Sequence, residues 1–370
     1  MTQNPLAPVL DPALDLAATS IDLTRQICDA QSVSGNEGAL ADAIEHALAD
    51  SAHLEIIRDG DTIVARTNLG RAKRVVIAGH IDTVPLNNNL PTRFETLDGV
   101  DYLWGRGTVD MKAGVAVQLK LAAELASPAV DVTWIWYDHE EVSAALNGLG
   151  RLSRNRPDLV AADFAILGEP SNSQVEGGCN GTIHVEIRAL GLRAHSARAW
   201  VGENAIHKIA PVLRILADYQ PREVEVDGLV YREGLNAVGV SGGIAGNVIP
   251  DEAKVLVNYR FAPSRTADEA LAHIEELFPG YEITEVDRAE GARPGLTAPL
   301  AQEFLAAVGA EARPKYGWTD VARFSAMGIP AVNYGPGDPL KAHADDERVA
   351  LSQITECENA LRSWLDTPAG

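Results

Sequence analysis

Residues 75–85 read VVIAGHIDTVP. The β-branched or small apolar residues 75–78 predict a short strand buried on both faces, left at Gly79 with His80 and Asp82 just beyond. Such strand ends are where open α/β sheets place their chemistry. Side chains alternate along extended backbone, so His80 and Asp82 leave on the same side. The pair fits a metal-binding imidazole whose tautomer is fixed by a carboxylate, and equally a strand-end histidine bonded to a local aspartate with no metal. The pattern then repeats. Residues 130–137, VDVTWIWY, run into Asp138, His139, Glu140 and Glu141, and residues 164–167 run into Gly168, Glu169 and Pro170. Apolar strands alternating with helices predict an α/β fold with a mixed, largely parallel sheet flanked by helices. Polar residues at repeated strand ends predict one shared cleft.

At 370 residues the chain exceeds the size at which one core stops growing, so two domains are expected. The character changes near Gly181. Residues 182–189 alternate, as an antiparallel strand with one solvated face does, and residues 204–217 are amphipathic with helical period. Strands at 236–244 and 253–261 and a helix at 266–277 complete an α+β block with its own sheet. The expected organisation is a catalytic domain at 1–180 and 294–370, interrupted by an inserted domain at 181–293. Within the first part, residues 34–37 (SGNE) predict a capping box, residues 86–103 a polar loop, and the stretch from Met111 an apolar helix in which Gly114 permits close packing. Later residues predict a helix at 300–308, a strand at 331–334 and a terminal helix at 351–365.

A net charge of −21 opposes nucleic-acid binding, and an anionic substrate would need a local basic pocket. No stretch approaches the length of a membrane span, and the N-terminus lacks a basic segment followed by an apolar one, so a cytoplasmic protein is expected. Three cysteines without CxxC spacing indicate neither a disulfide framework nor a zinc knuckle.

Gathered in order, the polar strand-end residues are His80, Asp82, Asp110, Glu140, Glu141, Glu169 and, far downstream, His343 in KAHADDERV. Two histidines with three carboxylates are a ligand set for a pair of divalent ions, and imidazole favours zinc, cobalt or manganese over magnesium and calcium. On an extended segment the adjacent Glu140 and Glu141 point to opposite sides, so one can ligate while the other faces water as general base. Singly, Asp110 reads equally well as an N-cap, Glu169 as a turn residue and His195 as an ordinary surface residue. His139 reads as a packing residue, and His46, His53, His184, His207 and His273 have no motif context.

In this order GHIDTVP, GRGTVDMKAG, DHEE, GEP, GLRAHS, NVIPD and KAH resemble the dinuclear zinc metallohydrolases of the M20 peptidase and deacylase family, over nearly the whole chain. The resemblance implies a zinc-peptidase-like catalytic domain with two divalent ions per chain, Zn2+ with Co2+ or Mn2+ as substitutes. Asp110 would bridge them, with His80 and Glu169 completing one site and Glu141 and His343 the other. Glu140 would be the base, and Asp82 and His195 join it as catalytic candidates. The inserted block would be a dimerisation lid whose His195 and Asn247 reach the partner's active site in a homodimer. The segments YDHEEV, GEPSNSQVEGGCNGT, NYRFAPS and GWTDVARF point, within the family, to hydrolysis of a small N-acyl amino acid carrying several carboxylates. Such a substrate asks for guanidinium forks, with Arg260 and Arg323 as candidates and Thr319 and Thr182 as hydroxyl partners. Other deacylases and dipeptidases of the family would use the same ligand set. The intact Glu140 and ligands argue against a noncatalytic dimeric amino-acid binder.

Overall fold

The computed structural model of the chain describes residues 13–366. These form two compact units. The first takes the described residues up to Gly177, with Gly295–Arg313 and those from Arg323 onward; the second takes Gly178–Pro294 and Pro314–Ala322. The last of these segments lies within 294–370, the stretch expected to belong to the catalytic part. It is tied into the second unit by hydrogen bonds from Asn180 N to Lys315 O (3.3 Å), from Cys179 Sγ to Thr319 O (3.7 Å) and from the Trp318 indole to Glu290 O (3.1 Å).

The first unit is built on an eight-stranded mixed sheet. At its centre Arg74–His80 lies parallel to Asp131–Tyr137 on one side and to Phe164–Leu167 on the other, and Ala331–Asn333 continues the parallel run. Register aligns the ends: His80 pairs with Tyr137, and Ala78 with both Ile135 and Leu167. The polar residues that follow each strand therefore emerge along one edge. Val75–Ala78 and Phe164–Leu167 are fully buried, as continuous apolar runs demand when helices cover both faces. The helix Lys112–Glu124 is buried from Lys112 to Ala122, and Gly114 permits that approach. A Cβ there would lie 2.2 Å from Gly168 O. Phe164, Phe304, Tyr334 and Trp364 form an aromatic cluster, with Phe164–Trp364, Phe304–Tyr334 and Phe304–Trp364 edge-to-face and Phe164–Phe304 tilted.

Two local expectations are overturned. Residues 86–103 are not simply a loop, because Arg93–Leu97 and Val100–Trp104 pair as a hairpin. Asp98 and Gly99 turn it with φ of 51° and 80°, the left-handed pair that a two-residue hairpin loop requires. The predicted capping box at residues 34–37 is absent. The helix Gly38–Leu48 has no side-chain cap, because Ser34 Oγ instead donates to Asp82 Oδ2 at 2.6 Å.

In the second unit, Gly234–Gly242, Glu252–Phe261, Gly181–Leu190 and Glu282–Ala289 form a four-stranded antiparallel sheet in that order. The alternation along Gly181–Leu190 and Glu252–Phe261 buries one face. The helices Ala205–Asp218 and Ala267–Leu277 contribute Ile209, Val212 and Ile274 to the same core as Val185, Ile187 and Val257. Among the described residues no helix is long and apolar enough to cross a membrane.

Candidate metal centre

Seven of the expected polar residues converge in the first unit. His80 ends its strand with Nε2 3.0 Å from Asp110 Oδ1 and 3.9 Å from Glu169 Oε1. Its Nδ1 faces Asp82, 3.1 Å from the carbonyl and 3.4 Å from Oδ1. That second contact fixes the ring and leaves Nε2 to face the carboxylates. On the other side, His343 Nε2 lies 3.0 Å from Glu141 Oε1 and 3.1 Å from Asp110 Oδ2. Asp110 thus presents one oxygen to each histidine.

Ligand atoms lie within 4.8 Å of one another in three groups: His80 with Asp110 and Glu169, Asp110 with Glu141 and His343, and His80 with Glu140 and Glu141. Two imidazoles among carboxylates, with no thiolate, fit divalent ions that accept mixed nitrogen and oxygen donors. The side chain of His80 is 1% exposed and that of His343 52%, so the second group opens toward solvent while the first is closed.

Charge at the centre is concentrated. Burial acts to raise the Asp82 carboxyl, yet hydrogen bonds and charge from His80, with Ser34 and the Glu140 amide, hold it down at about 2. Asp110 is likewise held well below the usual carboxylate range by His343 and His80 in spite of its burial. His343 is pushed up to about 10, chiefly by its hydrogen bonds to Asp110 and Glu141. His80 also rises: burial disfavours its charge, but hydrogen bonds to Asp110 and Asp82 overcome that. In the absence of cations, proton binding to these two imidazoles offsets part of the carboxylate charge.

The segment that carries Glu140 and Glu141 departs from expectation. Extended backbone stops at Tyr137, and His139 adopts φ of 58°. Alternation therefore does not separate the two glutamates, and both offer an oxygen to the group that contains His80. The turn hangs on two buried carboxylates. His139 N donates to Glu37 Oε1 (3.2 Å), Glu140 N to Asp82 Oδ1 (3.0 Å) and Glu141 N to Asp82 Oδ2 (3.1 Å). His139 itself is bonded to Asp138 Oδ2 at 2.7 Å. Glu37 escaped the sequence reading because SGNE looks like a helix start. Burial raises its carboxyl above the usual range.

The other expected residues lie elsewhere. Arg323 belongs to the first unit, on the short helix Val321–Ala326, with its guanidinium packed against Gly150. His195, Asn247, Thr182, Arg260 and Thr319 belong to the second unit. His195 is exposed, pairs with Val248 beside Asn247, and accepts from Ala197 N through Nδ1 at 3.0 Å. Arg260 pairs with Thr182 across the sheet and donates to Asn258 Oδ1 at 3.3 Å, while Asn258 donates to Thr182 Oγ1 at 2.9 Å. Arg260 is half-buried and forms no ion pair among the described residues, and burial lowers its pKa. Thr319 is buried.

With this geometry in place, the sequence profile described as Peptidase family M20/M25/M40 matches residues 76–367. The chain belongs to that family. Over 355 residues it is 52% identical to a Mycobacterium tuberculosis (strain ATCC 25618 / H37Rv) protein described as "Putative succinyl-diaminopimelate desuccinylase DapE", covering 95% of this chain and 99% of that one. A succinyl-diaminopimelate desuccinylase from Corynebacterium glutamicum is 47% identical over 367 residues, covering 96% and 98%. In fold the chain is similar to a tripeptidase from Staphylococcus aureus, with a TM-score of 0.76 over 95% of this chain and 98% of that one at 19% identity.

Proposed function

We propose that this chain is a metal-dependent amide hydrolase that removes succinate from N-succinyl-LL-2,6-diaminopimelate, releasing LL-2,6-diaminopimelate for lysine biosynthesis. The observation that carries the chemistry is Asp110, which offers one oxygen to the group of His80 and Glu169 and the other to the group of Glu141 and His343. The substrate follows from the relatives at 52% and 47% identity over nearly the full chain. Two divalent ions in those groups, zinc by preference, would supply Lewis acidity and lower the pKa of a bound water.

The chain's own residues do the rest. Glu140 accepts the proton of the attacking water as its oxygen adds to the amide carbonyl, and it passes that proton to the nitrogen as the C–N bond breaks. Asp82 holds the His80 ring and the backbone of Glu140, so the base keeps its place. His195 or Asn247 donates a hydrogen bond to the developing oxyanion, a contribution of about 10²- to 10³-fold in rate. Arg260 and Arg323, with Thr182 and Thr319, recognise the substrate's carboxylates. By the resemblance, Cys179 and Asn180 stand where better-known desuccinylases carry a basic pair and GWTD where they carry GGTSD, departures that bear on which acyl amino acid is taken and leave the ligand set untouched.

We further propose a homodimer assembled through the inserted block. Gly234–Gly242 is a terminal strand of its sheet, and Val238, Val240 and Ile244 on and beside it are exposed, as is Ile206. A cytoplasmic setting suits the three buried free cysteines.

The test is a panel of N-acyl amino acids offered to the zinc-loaded protein, with the released acid and amine identified by mass spectrometry. Succinate from the succinylated diamine is expected to dominate. Preferential release of acetate or of amino acids from peptides would replace the desuccinylase reading with another deacylase or a dipeptidase.

A further inference from the structure

Beyond the ligands themselves, the geometry points to Glu347 and Arg106 as a positioning pair that sets the Asp110–Glu141–His343 group. Both side chains are buried, with relative exposures of 1% and 3% for the residues. Glu347 Oε1 accepts from Val109 N at 2.9 Å and from Asp110 N at 3.1 Å, so it grips the backbone of the shared ligand directly. Its other oxygen accepts from Arg106 Nη1 at 2.7 Å. Arg106 Nη2 in turn donates to the carbonyl of His343 at 3.4 Å. One carboxylate and one guanidinium thus connect the main chains of two ligand residues that lie more than two hundred positions apart in sequence. Glu347 also accepts from Gly105 N through its own carbonyl, at 3.0 Å, which closes the loop that delivers Asp110.

The selectivity of the effect follows from what the pair does not touch. His80 and Glu169 stand at the ends of central strands whose register is fixed by the sheet. Their group loses one end of one member if Glu347 lets go. The other group loses both Asp110 and His343 from their set positions, and the His343 side chain, half exposed, is less enclosed than that of His80. A carboxylate is needed at 347 because one oxygen must accept from two backbone amides while the second accepts from the guanidinium; a glutamine amide nitrogen would face Arg106 as donor against donor. A lysine at 106 keeps the charge but lacks the fork that reaches a carboxylate and a carbonyl together.

This inference rests on the proposed two-ion centre, and its test separates the two. Metal-free protein is titrated with Co2+ and followed by visible absorption, for the native chain and for Glu347→Gln, Glu347→Asp and Arg106→Lys, with thermal melts confirming that each variant is folded. The native chain is expected to take up two equivalents. Glu347→Gln and Arg106→Lys are expected to keep one equivalent at native affinity and to bind the second about 10- to 100-fold more weakly, the range for losing a partner that orients a metal ligand. Glu347→Asp should fall between them and the native chain. In turnover, kcat should drop at limiting metal and return with excess, with KM little changed. A purely architectural role would lower the melting temperature without splitting the two equivalents. Native binding of both by folded Glu347→Gln or Arg106→Lys overturns the inference, whereas a native chain that binds fewer than two ions overturns the proposed centre itself.

Discussion

Asp82 takes hydrogen bonds from the Ser34 hydroxyl and from the amides of Glu140 and Glu141, and it also braces His80. At this scale His80, Glu140, Glu141 and Glu169 were readable from sequence because each lies just beyond an apolar run, the strongest pattern a chain displays, whereas Asp110 and His343 follow none and were legible only through the motifs GRGTVDMKAG and KAH. The roles of Glu140 and Glu141 were not, since strand alternation ceases at Tyr137 and only the folded turn shows both reaching toward His80. Glu37 and Glu347 were invisible for a related reason: their partners are backbone amides distant in sequence, which no spacing announces. Two expectations follow. Glu141→Ala should hold closer to one ion per chain by metal analysis and regain part of its activity in excess zinc, whereas Glu140→Ala should keep both ions and lose about two to four orders of magnitude in rate without rescue. The reverse pattern would exchange their roles. The second concerns pH. His80 and His343 hold raised pKa values in the metal-free fold, so their contribution to its stability is complete below the unfolded-state value and is lost as pH rises through the raised ones, about 10 for His343. Cations must displace those protons, so apparent zinc affinity should climb as pH rises toward about 10, by up to about tenfold per pH unit for each proton displaced. Calorimetry in buffers of differing ionisation enthalpy counts the protons released, and a count of zero would contradict the account.

The elements that place these residues are the parallel strands and the helix Lys112–Glu124 behind them. Continuous apolar strands, the amphipathic helices and the packing role of Gly114 could all be read in advance, because burial on two faces or one leaves a distinct period. The hairpin Arg93–Trp104 could have been, since Asp98-Gly99 between two extended segments is a turn signal, and the same Asp-Gly pair, Asp227-Gly228, turns the hairpin of Glu223–Val226 with Leu229–Arg232. The strand Glu282–Ala289 could not: it is a sheet edge with mostly exposed residues and no apolar face to betray it. Gly114→Ala forces a methyl toward Gly168 O and should cost about 1–3 kcal/mol in urea unfolding. Gly317→Ala, with nothing within 4 Å of the new Cβ, should change stability by no more than about 1 kcal/mol in either direction. Equal losses for the two would show that the helix does not rest on Gly168 as described.

For the whole molecule, the change of strand character near Gly181 was a usable sign of a second compact unit, because antiparallel strands with one solvated face alternate and central parallel ones do not. The return of Pro314–Ala322 to that unit had no such sign, because ties such as the Asn180 amide to Lys315 O, the Cys179 thiol to Thr319 O and the Trp318 indole to Glu290 O join residues distant in sequence. If the inserted block pairs two chains and His195 serves the neighbouring centre, mixing inactive Glu140→Ala chains with inactive His195→Ala chains should restore about a quarter to a half of the activity per native site, because a symmetric dimer then rebuilds one intact centre. No recovery would confine His195 to its own chain or remove it from the chemistry.

The most direct measurement is the rate of succinate release from N-succinyl-LL-2,6-diaminopimelate as zinc is titrated into metal-free protein. A centre whose two groups share Asp110 predicts no turnover without metal, a rate that keeps rising beyond one equivalent, and a plateau near two ions per chain. Full turnover in the presence of a strong chelator, or saturation at a single equivalent, would contradict it.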